Sequence, residues 1–400
     1  MFPNASRRIA VLVLVVLAAF PGSVGVASAG TGVAASPSGF TVSGHQILRN
    51  GQPWIPYGFS IWIFGNGLDS FARDEAATID AQIRAVAGAW HGNTVRIQVE
   101  QDEFLYGGDG HSAGTFRAKV FAAIGYAESL GLAVVINDTT EATGGIYTLN
   151  EPLPTAATLS FWRAMGQYRD DPDVILDPFN EPRLGVDGPD SDGDWGTWFN
   201  GGGGYIGADA LIRGLRAMGW GNQLWMETPG SLALTELGAT WPEYRLSGSN
   251  IVYSYHHTAV CQRADPSVAE WNVQFGNLVT RDGVPVVDGE WTNRSVPYGT
   301  QGQIFYPSGD TGQCWGHAPT FVPLYLSYLA SHGIGMIVWA LGSLPGQPHY
   351  DPINADGNNS NFTTANSYSN WHGCVTPRGG TISGAGQLLK AWFTQQDRYA

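Results

Sequence analysis

Residues 174–182 read Val-Ile-Leu-Asp-Pro-Phe-Asn-Glu-Pro. A short apolar run flows directly into a polar end, and Pro182 stops it. A run with no polar face is a strand buried on both sides, the kind found in parallel sheets. The same unit recurs along the chain. Strands are predicted at Ile55–Phe59, Thr94–Gln98, Ala133–Asn137, Val174–Phe179, Gln223–Met226, Ile251–Tyr255, Pro285–Asp288 and Met336–Trp339. Between them, apolar residues at helical spacing predict helices over Ala76–Trp90, Ala118–Leu130, Leu159–Tyr168, Ala208–Met218 and Phe321–Ser331, with a last helix over Gly386–Phe393. Eight strands alternating with helices give an α/β fold, a closed (β/α)8 TIM barrel. The competing architecture is an open doubly wound sheet. It is disfavoured because no Gly-x-Gly-x-x-Gly turn follows any strand.

Ahead of the barrel, Phe40-Thr41-Val42 and Gln46-Ile47-Leu48 alternate around Ser43-Gly44-His45, and Arg49–Gln52 forms a second turn. This predicts an N-terminal β-hairpin placed to close the barrel bottom. Residues 30–38 are small and polar and read as a flexible leader. Residues 1–29 read as a secretory signal peptide: Arg7 and Arg8 precede the apolar run Ile9–Phe20, and Ala27-Ser28-Ala29 offers a cleavage site after Ala29. The apolar run is too short to span a bilayer comfortably. The expectation is an exported protein whose residues 39–400 form one domain, acting as a monomer and without a separate carbohydrate-binding module.

The formal charge is −14, which argues against nucleic acid or a membrane surface as partner and suits a neutral substrate. The chain carries 15 Trp, 16 Tyr and 17 Phe. Aromatic faces stack on the C–H faces of sugar rings, although most of these residues belong in the core. Cys261, Cys314 and Cys374 contain no Cys-x-x-Cys pair, so structural zinc is not expected. One disulfide among the loops fits an exported protein, with the pairing left open. Long loops follow strands four and eight, at 186–204 and 341–370. Asp190-Ser191-Asp192-Gly193-Asp194 looks superficially like a calcium loop. Gly201 stands where the bidentate Glu should be, and the run reads as solvated.

Chemistry in a barrel sits at the C-terminal strand ends. Strand four ends in Asn180-Glu181 and strand seven in Asp288-Gly289-Glu290-Trp291. Two glutamates at two strand ends form the pair that glycoside hydrolysis needs: one protonates the leaving oxygen and the other attacks the anomeric carbon. A metal-dependent hydrolase would need several ligands at strand ends. His256-His257 is the one cluster present, and no metal or organic cofactor is expected.

At these residues the chain resembles the clan of retaining (β/α)8 glycosidases, and within it the cellulase-type family 5 glycoside hydrolases. The resemblance rests on Asn180-Glu181-Pro182, Glu290, Gly92-Asn93-Thr94-Val95-Arg96, Tyr253-Ser254-Tyr255-His256 and Trp339, and spans roughly residues 40–395. It implies that Glu181 is the acid/base and Glu290 the nucleophile. It also implies that Asn180 binds the sugar 2-hydroxyl, that Arg96 pairs with Glu290, that His256 lies near both glutamates, and that Trp339 is the floor under the reacting sugar. Each supporting residue has a plainer alternative: Arg96 as a structural ion pair, His257 in place of His256, Trp339 as packing. Glu181 is expected to titrate high because Glu290 is near. The carboxyl gap should be the short one of retaining enzymes, roughly 5–5.5 Å.

Two positions depart from the family pattern. Strand three ends in Asn137-Asp138-Thr139, with Glu141 behind, where a His is common. Thr258 stands where a Tyr is common, and Tyr255 or Tyr253 is a candidate substitute. Asp138 and Glu141 are candidate hydroxyl ligands. Trp62 and Trp291 are expected sugar contacts, with Phe64, Trp195, Trp198 and Trp315 as further candidates. The implied substrate is β-1,4-glucan, cut internally. The alternatives are a β-mannanase or an exo-acting β-glucosidase or diglycosidase with the same mechanism, and a non-catalytic sugar-binding barrel.

Overall fold

The computed structural model describes residues 39–63, 76–108, 111–140, 151–169, 171–182, 195–229, 243–258, 268–292, 318–341, 362–365 and 386–397. Eight parallel strands close into a barrel. In chain order they are Tyr57–Ile63, Thr94–Glu100, Ala133–Thr139, Val174–Asp177, Leu224–Glu227, Ile251–Thr258, Val286–Thr292 and Gly335–Val338, here called strands one to eight. All eight lie where the apolar runs predict them. Strand one begins later than expected, after Pro56, and runs on to Ile63. Strands six and seven extend beyond their predicted ends to Thr258 and Thr292.

The helices follow the same pattern, with shifts that capping explains. The helix predicted from Ala118 starts at Ala113, because Ser112 caps it by accepting from Thr115 N at 3.1 Å. The helix predicted from Leu159 spans Ala156–Ala164, started by a capping box between Thr155 and Thr158, and ends in a 3-10 turn at Gly166–Tyr168. The glycine run of the strand-four loop is a tight ribbon. Gly201–Gly202 pairs with Tyr205–Ile206, and all four glycines from 201 to 204 hold positive φ, a conformation that residues with a Cβ rarely adopt.

Strand alternation splits the barrel wall into two faces. Inward residues Ala133, Val135, Ile175, Trp225, Val252, Val287 and Ile337 form one buried cluster with Phe40 and Ile47 of the N-terminal hairpin. The hairpin therefore closes the bottom, as its alternation predicts. Asn250 donates to Phe40 O at 3.0 Å, and Arg49 pairs with Asp173 at 2.6 Å, which ties the hairpin to the loops leading into strands four and six. Outward residues such as Val134, Ile136, Leu176 and Met226 pack in the larger core beneath the helices. No helix among the described residues is long and apolar enough to cross a membrane.

Candidate active site

The inward rows that are apolar at the bottom turn polar at the top. Ile175 is followed two residues on by Asp177, Trp225 by Glu227, and Val252 by Ser254 and His256. Strand seven reaches the same result through a bulge. Tyr255 is registered with Asp288 and His256 with Glu290, so Gly289 has no partner. A Cβ on Gly289 would lie 2.1 Å from Ser254 Oγ, so a larger residue there would force the Ser254 side chain aside. The bulge leaves Asp288 facing outward, where its carboxylate accepts from Tyr325 Oη at 2.6 Å. Glu290 is turned inward.

Arg96 organises the site. Fully buried, its guanidinium donates to Asp177 at 2.7 Å, Asn180 Oδ1 at 2.7 Å, Glu227 at 2.9 Å and Glu290. Gln98, two residues on and therefore on the same face, donates to Glu290 Oε1 at 2.7 Å. His256 Nδ1 lies 2.9 Å from Glu181 Oε1 and 3.6 Å from Glu290 Oε2. A carboxylate oxygen of Glu181 and one of Glu290 lie within 4.8 Å of each other. So close an approach of two oxygens fits the short carboxyl spacing of retaining enzymes. Glu181 holds φ +44°, a left-handed conformation that a residue with a side chain keeps only when its surroundings enforce it.

Burial and mutual repulsion set the charges. Burial pushes the Glu290 carboxyl up to about 7. His256 and Arg96 pull it down, while Glu181 and Glu227 push it further up. Burial also opposes a charged His256, but Glu227, Glu290 and Glu181 outweigh it and hold the imidazole well above its usual value. Asp177 is raised well above the ordinary carboxylate range by burial and by Glu227, against the pull of Arg96. Burial works the same way on Glu227, but His256, Arg96 and a hydrogen bond from Asp177 win and lower it. Glu181, His256 and Glu290 each place a ligand atom within reach of a common cation.

Trp62 and Trp339 are half-buried with ring centroids 4.9 Å apart, and form an aromatic pair at the barrel mouth. Three expected sugar contacts lie elsewhere. Trp291 is 1% exposed and parallel to the Tyr325 ring, because the bulge that turns Glu290 inward turns its neighbour outward. Tyr255 stacks on Phe275 at 4.3 Å and meets Tyr325 Oη at 2.9 Å, also behind the wall. Asp138 is fully buried on the outward row of Val134 and Ile136, and Asn137 holds the inward position. Tyr253 is likewise outward, its hydroxyl accepting from Leu246 N at 2.8 Å. Trp198 is buried, and Trp195 stacks on Tyr244 at 5.9 Å. Phe64, Glu141, Trp315, the three cysteines, the Asp190–Asp194 run and the leader lie outside the described residues.

Glu227, Asp177 and Gln98 were not among the expected site residues. Glu227 closes an apolar strand as Glu181 and Glu290 do, so the strand-end rule selects it once strand five is extended by one residue. Period-two spacing from Arg96 and from Ile175 finds the other two.

An eight-stranded barrel whose mouth pairs two glutamates at this spacing defines a class of enzyme, the retaining O-glycoside hydrolases. Within that class, the family model for cellulase (glycosyl hydrolase family 5) matches residues 53–344, and the chain belongs to that family. None of the curated protein sequences compared with the chain matches it. Similar solved structures include the β-mannanase from Streptomyces thermolilacinus with mannohexaose, at TM-score 0.57 and 17% identity over 87% of this chain and 99% of that one. A cellulase, Cel5C_n, matches at TM-score 0.57 and 18% identity over 89% and 92%. The mannotriose complex of Thermomonospora fusca β-mannanase matches at TM-score 0.56 and 16% identity over 88% and 97%. At these identities the likeness is one of fold.

Proposed function

We propose that the enzyme cleaves β-1,4-glucan internally, with Glu290 as nucleophile and Glu181 as acid/base. The observation that carries the catalytic roles is the close approach of the two carboxyls, with His256 against Glu181 and Arg96 against Glu290, and the cellulase family match supports the glucan reading. In the competent state one proton resides on Glu181 and Glu290 is ionised. A protonated Glu181 no longer repels charge on Glu290, and Arg96 and His256 then favour the carboxylate. Glu290 attacks the anomeric carbon while Glu181 protonates the departing oxygen, giving a glycosyl ester. Glu181, now a carboxylate, takes a proton from water as that water displaces Glu290. In this reading Asn180, held by Arg96, and the Trp62–Trp339 pair bind the sugar, which their contacts and half-burial at the barrel mouth support. A Glu290→Gly variant should regain turnover in azide and release the glycosyl azide of inverted configuration. Rescue at Glu181→Gly with inversion instead would exchange the two roles.

The same mechanism on β-mannan is the second reading, favoured by the mannanases among the structural neighbours. Product profiles on cello- and manno-oligosaccharides separate the two. A spread of short cello-products supports the first, manno-products the second, and single-sugar release an exo mode. We further propose that the chain is exported with cleavage after Ala29 and acts as a monomer. N-terminal sequencing and light scattering of the secreted protein test both.

A further inference from the structure

The double displacement gives no role to Glu227, a buried carboxylate beside the acid/base. Glu227 is 4% exposed at the end of strand five. Its Oε2 accepts from the Glu181 backbone N–H at 2.5 Å. Its Oε1 accepts from Arg96 at 2.9 Å and lies 3.3 Å from His256 Nε2. The opposite nitrogen of that ring, Nδ1, lies 2.9 Å from Glu181 Oε1. Glu227 therefore bonds the Glu181 main chain directly and lies close behind the imidazole that meets the Glu181 carboxyl.

We propose that Glu227 is a positioning residue for the acid/base: it locks the backbone of Glu181 and, through His256, aims the Glu181 carboxyl at the leaving oxygen. The inference rests on Glu181 being the acid/base. Two observations carry it. Glu181 holds φ +44°, and a residue with a Cβ stays there only where contacts over-determine it. A charged acceptor on its N–H is such a contact. His256 lies between the two carboxylates, with Nδ1 2.9 Å from Glu181 Oε1 and Nε2 3.3 Å from Glu227 Oε1, so the Glu227 charge backs the ring that meets the Glu181 carboxyl. The charged groups facing this pair come from three other strands: Arg96 from strand two, Asp177 and Glu181 at and beyond the end of strand four, and Glu290 from strand seven, with Glu227 and His256 themselves on strands five and six. Arg96 holds Glu227 in place but also holds Glu290. The competing account is that Glu227 merely neutralises Arg96, which would affect the nucleophile or the fold.

Leaving-group dependence separates the two accounts. A residue that acts through proton delivery matters for a sugar leaving group and not for a dinitrophenolate, which departs without a proton. For Glu227→Gln, kcat/KM on cellotetraose should fall on the order of 100-fold, within the usual range for general acid catalysis, and on dinitrophenyl β-cellobioside by about threefold or less. The manno-configured pair replaces these substrates if the enzyme prefers it. Glu181→Ala serves as the reference. If Glu181→Ala discriminates between the leaving groups and Glu227→Gln loses equally on both, or loses on neither, the inference is overturned. If Glu181→Ala itself fails to discriminate, the acid/base assignment is wrong and the inference falls with it. Should Glu227→Gln not fold, Glu227→Asp keeps the charge at shorter reach and should show the same discrimination; equal loss on both substrates there overturns the inference as well.

Discussion

The bottom and the top of the barrel are built from the same inward rows of the same strands, yet they obey opposite rules. The bottom, where Phe40 and Ile47 meet Val135, Trp225 and Val252, has no charge and no exposed atom of consequence. Toward the top of the barrel, Arg96 and His256 gather the carboxyls of Asp177, Glu227 and Glu290 into one buried space. The lower layer maximises apolar burial. The upper layer holds groups that repel one another, and its arrangement makes sense only for chemistry. The contrast shows that stability and activity are divided along the barrel axis, so single substitutions should pull them apart.

The largest effect belongs to Glu290. Glu290→Gln should lower turnover of any β-glycoside by about 10⁴-fold or more, as loss of a nucleophile does. The same change should stabilise the fold at alkaline pH. The folded-state value of about 7 lies above the ordinary 4.5 of the carboxyl. Stability from this group is therefore complete below the ordinary value and is lost as pH climbs through 7. The variant lacks that loss, by about 1–3 kcal/mol. Melting curves should show its advantage growing from pH 5 to pH 8. A variant that melts lower than the parent at pH 8 would place Glu290 among the stabilising residues and dissolve the contrast.

Trp225 is the mirror case. Trp225→Ala opens a cavity in the apolar layer and should cost about 3–5 kcal/mol, measured by urea unfolding. The kcat of the folded fraction should change less than about twofold, because Glu227 two residues on is held by Arg96 and not by the indole. A matching collapse of kcat would mean that the two layers are one mechanical unit.

How much of this was legible beforehand follows from which physical signal each part carries. The barrel was legible because eight strands buried on both faces leave unbroken apolar runs, and the hairpin because Phe40 and Ile47 alternate with polar neighbours. Glu181 and Glu290 were legible because a carboxylate after such a run has no structural reason to be there. Glu227 satisfied the same rule and was hidden by a strand boundary set one residue short. Trp291, Tyr255 and Asp138 were misplaced for a different reason. Their facing depends on strand parity, and parity at strand seven is reset by a bulge that Asp288-Gly289-Glu290 signals only once the partner strand is known. Charge states were illegible altogether. They arise from Arg96, Asp177, Glu227 and His256 meeting in space from four strands, and no local spacing encodes that meeting.

The smallest effect should come from behind the wall. Tyr325 Oη donates to the outward carboxylate of Asp288 at 2.6 Å and meets Tyr255 Oη at 2.9 Å. Asp288 is fully buried, so Tyr325→Phe removes a donor from a carboxylate that water does not reach. Such a loss costs about 1–3 kcal/mol when nothing replaces it. Here Tyr255 Oη already lies in the same chain and can turn toward Asp288, which puts the expected cost near the lower limit. The change touches neither catalytic carboxyl, yet Asp288 anchors the bulge that turns Glu290 inward. A loss of stability of about 1 kcal/mol should therefore come with a fall in kcat of a few fold and an unchanged KM. If kcat held while stability fell, the bulge would be fixed by Gly289 and its steric fit against Ser254 alone, and the outer hydrogen-bond chain would belong with the apolar bottom as scaffold rather than with the top as machinery.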